Sequence, residues 1–161
     1  MKTKHFYPIL FALLFLPLVS MAQSSGIYLY YPGLTVGAGT EGHADEVLIL
    51  AFSYGFSSNG TAKATFQNYS ITKYNDLSTS GFQMDLVSQK ATKEVQLRIY
   101  KDNQTTPIQV HQLYDARIVS FASGGSSEEV TNGSCPSCTG LTENITISFG
   151  HLKIGEFAPK M

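Results

Sequence analysis

Charge is scarce in this chain: Lys, Arg, Asp and Glu together make 14% of its 161 residues, against about 25% in an average soluble domain. Neither sign gathers into a run, so the basic stripe that a nucleic-acid surface requires is missing. Only two cysteines occur, too few for a disulfide framework or a four-thiolate zinc site. There is no Gly-x-Ser-x-Gly, no His-Glu-x-x-His and no phosphate-cradling glycine loop. Gly37-Ala38-Gly39 is too short for the last and lacks the strand-to-helix setting. No apolar stretch reaches the roughly 20 uninterrupted residues that cross a bilayer as a helix. Hydrolase, metalloenzyme, nucleotide-binding and membrane-spanning readings each lose their usual support.

What is present begins with a leader. Lys2 and Lys4 precede an apolar stretch over residues 6–19 that holds Pro8 and Pro17, and Ser20-Met21-Ala22 places small residues at −3 and −1. This is the pattern of a signal peptide over residues 1–22, cut before Gln23. The exported chain, residues 23–161, keeps nine basic and twelve acidic side chains, a net of −3. It is one domain's worth of chain and buries a core without metal or disulfides.

The most informative run is Gly42-His43-Ala44-Asp45-Glu46, followed by Val47-Leu48-Ile49-Leu50-Ala51-Phe52. Side chains alternate along a strand, so Val47, Ile49 and Ala51 share one face and Leu48, Leu50 and Phe52 the other. A strand apolar on both faces is covered on both, by a second layer or by another subunit. We therefore take Val47, Leu48, Ile49, Leu50 and Phe52, with the glycine-rich loop 34–42, as the candidate subunit interface. Other strands are expected at residues 27–31, 64–72, 94–100, 108–121 (one bent strand or two) and 142–149, the last extending to 154. Ser57-Ser58-Asn59-Gly60 favours a tight turn that pairs strand 46–54 with strand 64–72. A single helix is expected over residues 81–89. Ser80 and Gln83 form a capping-box pattern there, with one side made apolar by Phe82, Met84, Leu86 and Val87. Many strands and one helix define a mainly β protein: a closed or nearly closed antiparallel β-barrel with the helix packed at its side.

Three motifs invite chemistry. Cys135-Pro136-Ser137-Cys138 suits a redox pair, half a zinc site or a disulfide. Its loop-like flanks lack the helix N-terminus of a redox pair, and no further ligands stand at zinc spacing. The plain expectation is a disulfide pinching a loop in an oxidising compartment. His43 has Asp45 and Glu46 beside it, yet adjacency at a strand start does not make a catalytic dyad. The stretch reads instead as a turn held by local hydrogen bonds. Five Asn-x-Ser/Thr triplets start at Asn59, Asn68, Asn103, Asn132 and Asn144, and they follow from an Asn-, Ser- and Thr-rich composition. We expect no catalytic residues, no cofactor and no metal.

Three segments together resemble the haemolysin-coregulated (Hcp) proteins. The Gly42-His43-x-Asp45-Glu46-apolar run is similar to the family's opening segment. Residues 66–76, ending in Thr72-Lys73 and Asp76, are similar to its strand before the helix. Glu143-Asn144-Ile145-Thr146-Ile147 is similar to its closing strand. The family's Ser-Pro at the helix start is Ser80-Gly81 here, and the cysteine-bearing insertion departs from the family pattern. The resemblance spans residues 27–156. It implies a non-enzymatic structural subunit of type VI secretion tubes that closes into hexameric rings, stacks, and carries effector proteins in its lumen. Its partners are then copies of itself and possible effector cargo, with no nucleic acid and no membrane span after export. The leader points elsewhere, since tube subunits of this family assemble in the cytoplasm. An exported copy is secreted, periplasmic or held at the bacterial surface. The alternative is an extracytoplasmic monomeric binding or adhesion module on the same fold, using Tyr28, Tyr30 and Tyr31. A hydrolase of surface polymer is third.

Overall fold

Antiparallel strands dominate, as the period-two patterning requires. The computed structural model describes residues 25–34, 43–58, 60, 65–101, 104–125 and 141–156. The elements are β1 (Gly26–Tyr30), β2 (Val47–Ile49), β3 (Ala51–Ser53), β4 (Phe56–Ser57), β5 (Thr65–Phe66), β6 (Tyr69–Tyr74), helix α1 (Thr79–Ser88), β7 (Thr92–Tyr100), β8 (Gln109–Gly124), β9 (Thr142–Ser148) and β10 (His151–Glu156). Hydrogen-bonded neighbours run β2-β1-β7-β8-β9-β6-β3, β10 also pairs with β8, and β4-β5 form a separate ribbon.

The path is open. Its end strands β2 and β3 share no ladder, yet they are consecutive in the chain and meet at Leu50, where the backbone bends. Val47–Ile49 pairs with β1 and Ala51–Ser53 pairs with β6. One segment thus leaves one sheet edge and joins the other. The mainly β architecture with one helix is as expected, whereas the expected closed barrel is not completed by hydrogen bonds between the end strands.

That bend corrects the facial assignment of the apolar run. Val47 and Ile49 are buried, Leu50 is exposed, and beyond it Ala51 and Ser53 face out while Phe52 packs on the core. A one-residue phase slip moves every later side chain to the opposite face. Val47, Ile49 and Phe52 therefore belong to the protomer's own core. Of the five interface candidates, only Leu48 and Leu50 remain on the outer face.

β8 is one strand, bent at Asp115 (φ +52°), with an irregularity between Ile118 and Ser120. Its first half pairs with β7 and β10, its second half with β9. The inward positions Leu29, Ile71, Val95, Leu97, Leu113, Ile118, Ile145 and Ile147 are buried and form the core. The two strands expected to pair do so, with Ala51 opposite Thr72 and Phe56 opposite Phe66, but Ser57 lies opposite Thr65, a register that a two-residue Asn59-Gly60 turn does not give. Its far strand breaks at Gln67-Asn68 into β5 and β6.

The helix starts two residues earlier than its capping-box pattern predicts. Asp76 Oδ1 accepts from Ser78 N at 2.8 Å, while the N-cap Ser78 makes no side-chain cap bond. The turn at Asp76 sets the first turn, leaving no role for Ser80. Gln89, in the left-handed region (φ 51°), ends the helix. Phe82 is buried and Leu86 packs against the core, whereas Met84 and Val87 are exposed. The four expected apolar positions therefore divide between two faces.

Candidate functional site

Residues far apart in the chain meet around two buried glutamates. β6 alternates inward and outward, which buries Tyr69, Ile71 and Lys73. Lys73 lies opposite Glu143 in the β6–β9 ladder. Lys73 Nζ donates to Glu143 Oε2 at 2.8 Å and to the Tyr74 carbonyl at 2.7 Å, and lies 2.9 Å from Asp76 Oδ1. Asn75 Nδ2 and Thr79 Oγ1 donate to Glu143 Oε1 at 2.7 and 2.8 Å. A charge pair with neither partner exposed is tolerable only when its remaining lone pairs and protons are satisfied, and here they are. Three of the motif residues, Lys73, Asp76 and Glu143, thus form one network that ties α1 to the sheet. Thr72, on the outer face, instead donates to Asn144 Oδ1 at 2.8 Å.

The second hub is Glu46. A turn at Ala44-Asp45, closed by Glu46 N donating to the His43 carbonyl at 3.1 Å, folds the two side chains together. His43 Nδ1 lies 2.6 Å from Glu46 Oε2. Arg98 Nη1 and the Tyr100 hydroxyl, at 3.2 Å, donate to Glu46 Oε1. The His43 ring stacks on Tyr28 with centroids 3.7 Å apart. The expected turn is there, and it also builds a histidine–carboxylate contact that simple adjacency did not foretell, because positions three apart meet across a turn. Asp45 is exposed. Burial raises the Tyr100 hydroxyl pKa, and the neighbouring Glu46 adds to the rise.

An open cleft of about 380 Å³ lies beside this hub, between residues 30–34 and 44–45. Among the described residues that line it, Asp45 is the one carboxylate and there is no histidine or cysteine. Among the described residues, no group of three or more His, Cys, Asp or Glu side chains is arranged to hold a metal ion. Nor is any helix there long and apolar enough to cross a membrane. Of the tyrosines proposed as contacts, Tyr28 and Tyr31 are buried and only Tyr30 is partly exposed, beneath the Arg98 guanidinium at 4.8 Å. Gly42, Cys135, Cys138, the leader and most of loop 34–42 lie outside the described residues.

Among the exposed apolar side chains of the described residues, two sets lie on neighbouring stretches of chain. Leu77, Met84 and Val87 (60, 67 and 82% exposed) lie on and just before α1. Phe56 and Phe66 (66 and 52%) lie on the β4–β5 ribbon, with Leu50 nearby in the chain. The ribbon precedes β6 in the chain and the helix follows it.

The topology defines the class as a mainly β domain with one helix packed on an antiparallel sheet. The sequence narrows it: residues 28–155 match the family model "Type VI secretion system effector, Hcp". The chain belongs to the Hcp family. Solved structures concur on the fold. Hcp1 from Salmonella typhimurium superposes with TM-score 0.66 at 15% identity, over 83% of this chain and 87% of that one. A type VI secretion system effector from Yersinia pestis gives 0.62 at 14%, over 81% and 98%. Hcp1 from Flavobacterium johnsoniae gives 0.57 at 14%, over 82% and 96%. Among curated proteins no sequence relative is found.

Proposed function

We propose that this protein is a non-enzymatic structural subunit whose partners are further copies of itself, closing into a six-membered ring that stacks or holds a protein cargo. The observation that carries the reading is the family match over residues 28–155. The surface supports it. Cyclic closure joins one face of a protomer to a different face of the next, and exposed apolar side chains lie on two separate elements, α1 and the β4–β5 ribbon. Large apolar side chains this exposed are the material from which interaction surfaces on soluble proteins are made.

The signal peptide over residues 1–22 remains part of the proposal, with residues 23–161 as the exported domain. A leader-borne copy does not enter a cytoplasmic assembly line, so the ring is placed outside the inner membrane, in the periplasm, at the surface or beyond it. Cys135 and Cys138 are proposed to pair in that oxidising compartment. The second reading, a monomeric binding module, is favoured by the open cleft beside Tyr30. Light scattering on the purified protein separates the two. A mass near six protomers that falls to one in Leu50→Asp or Val87→Lys supports the ring. A monomeric mass for the unaltered chain at high concentration contradicts it.

A further inference from the structure

One buried titratable group stands apart from both hubs. His111 lies on the inward side of β8, opposite Leu97 of β7 and Ile154 of β10. It is 1% exposed. Its Nδ1 is 2.8 Å from the Tyr69 hydroxyl, and its Nε2 is buried with no hydrogen-bond partner. Around it stand three rings. Phe52, Tyr54 and Tyr69 lie within about 5° of parallel to one another, and each is nearly perpendicular to the imidazole at 5.4, 5.2 and 6.0 Å. They come from β3, the residue after it, and the first residue of β6. This imidazole is the polar centre of a side-chain contact that adds to the β3–β6 ladder in fastening the strand beyond Leu50.

A neutral imidazole has one donor and one acceptor nitrogen, so the Tyr69 hydroxyl hydrogen has a place to go. A protonated imidazole donates at both nitrogens. Neither then accepts from Tyr69, and a charge sits in an aromatic, desolvated box. Among the described side chains no carboxylate pairs with it, and Asp85 of α1, which packs on β8, is engaged by Lys90 at 3.5 Å. The titratable neighbours on its side are Tyr54 and Tyr69. On β7 and β10, Glu94, Arg98 and Lys153 occupy positions of opposite parity, facing away. Lys73, inward on β6, is held by Glu143 and Asp76, which leaves neither carboxylate free. Asp115 and Arg117, on β8 itself, are exposed.

We propose that His111 is an acid-released latch: protonating it opens the corner formed by Phe52, Tyr54 and Tyr69 while the Lys73–Glu143 end of β6 stays closed. Burial holds the His111 pKa below its ordinary value of 6.5, so the closed corner keeps the neutral ring. The opened corner takes up a proton at the ordinary value. Opening is therefore suppressed at neutral pH and favoured as the pH falls below 6.5. The opening constant rises by up to tenfold per pH unit until the closed-state pKa is reached. The inference is independent of whether rings form.

Native-state amide exchange of the whole chain, corrected for intrinsic rates between pH 7.5 and 5.0, tests it. Opening at residues 51–54 and 69–71 should steepen below pH 6.5, while amides near Lys73 and Glu143 change far less. His111→Gln should flatten the dependence, whereas His43→Gln and His151→Gln should retain it. A flat profile in the unaltered chain, a slope that survives His111→Gln, or equal opening at both ends would overturn the proposal. Should His111→Gln fail to fold, an imidazole NMR titration of the unaltered chain decides. A neutral His111 ring at pH 6 supports the latch, and a ring titrating at 6.5 in the folded state contradicts it.

Discussion

Glu143 and Glu46 are both buried carboxylates that gather three donors, but they use different chemistry. Glu143 is held by a fully buried lysine, an asparagine and a threonine, and fixes the start of α1. Glu46 is held by an arginine that is 27% exposed, a tyrosine and a histidine, and fixes the turn before β2. The first hub has traded all its water for protein partners, so losing one partner strands a charge. The second keeps a route to solvent through Arg98, and losing one partner leaves the others hydrated in part. Burial, rather than the number of bonds, separates a rigid anchor from a forgiving one.

The comparison breaks most sharply at Lys73. Lys73→Met should lower unfolding stability by about 3–5 kcal/mol by leaving Glu143 buried and uncompensated. The double variant Lys73→Met with Glu143→Leu should recover most of that loss in chemical denaturation. Equal damage from the single and double variants would mean the pair does not act as a unit. Phe82→Ala, next to the same network and fully buried, should cost about 3–5 kcal/mol through the cavity it leaves. At the other hub, Glu46→Gln keeps an acceptor for Arg98 and Tyr100 and should cost less, about 1–3 kcal/mol. Acid should sharpen the contrast further. Because burial lowers the His111 pKa, its contribution is intact above 6.5. It is lost as the pH falls below that value, by up to about 1.4 kcal/mol per unit, as proton uptake favours the unfolded chain. Denaturant midpoints measured at pH 7 and 5.5 should show this, and His111→Gln should remove it. The smallest effect on the protomer is expected outside the core. Val87→Lys should shift stability by no more than about 0.5 kcal/mol, while Val47→Asp, at a position 1% exposed, should prevent folding.

Strand identity was legible wherever polar and apolar residues alternate, as in β7 and β9. The bend at Leu50 was not, because Val47 to Phe52 is apolar at both parities and a phase slip leaves no mark in such a run. The helix start was misplaced for another reason. Ser80 and Gln83 satisfy a local rule, but Asp76 Oδ1 accepts from Ser78 N and Glu143 engages Thr79, a contact 64 residues apart in sequence. Lys73, Asp76 and Glu143 were legible through their resemblance to family segments, although nothing in the spacing revealed that they touch. His111 stood among Gln109, Val110 and Gln112 with nothing in the spacing to single it out, and only the three-dimensional packing isolates its unpartnered nitrogen.

Electron microscopy of the purified, uncrosslinked protein puts the proposed role to the most direct test. Six-fold annular particles with an open centre are the expected result, dispersing when Leu50 or Val87 is given a charge. A field of single small particles at every concentration would leave an Hcp barrel that works alone, and the self-assembling subunit would have to be abandoned.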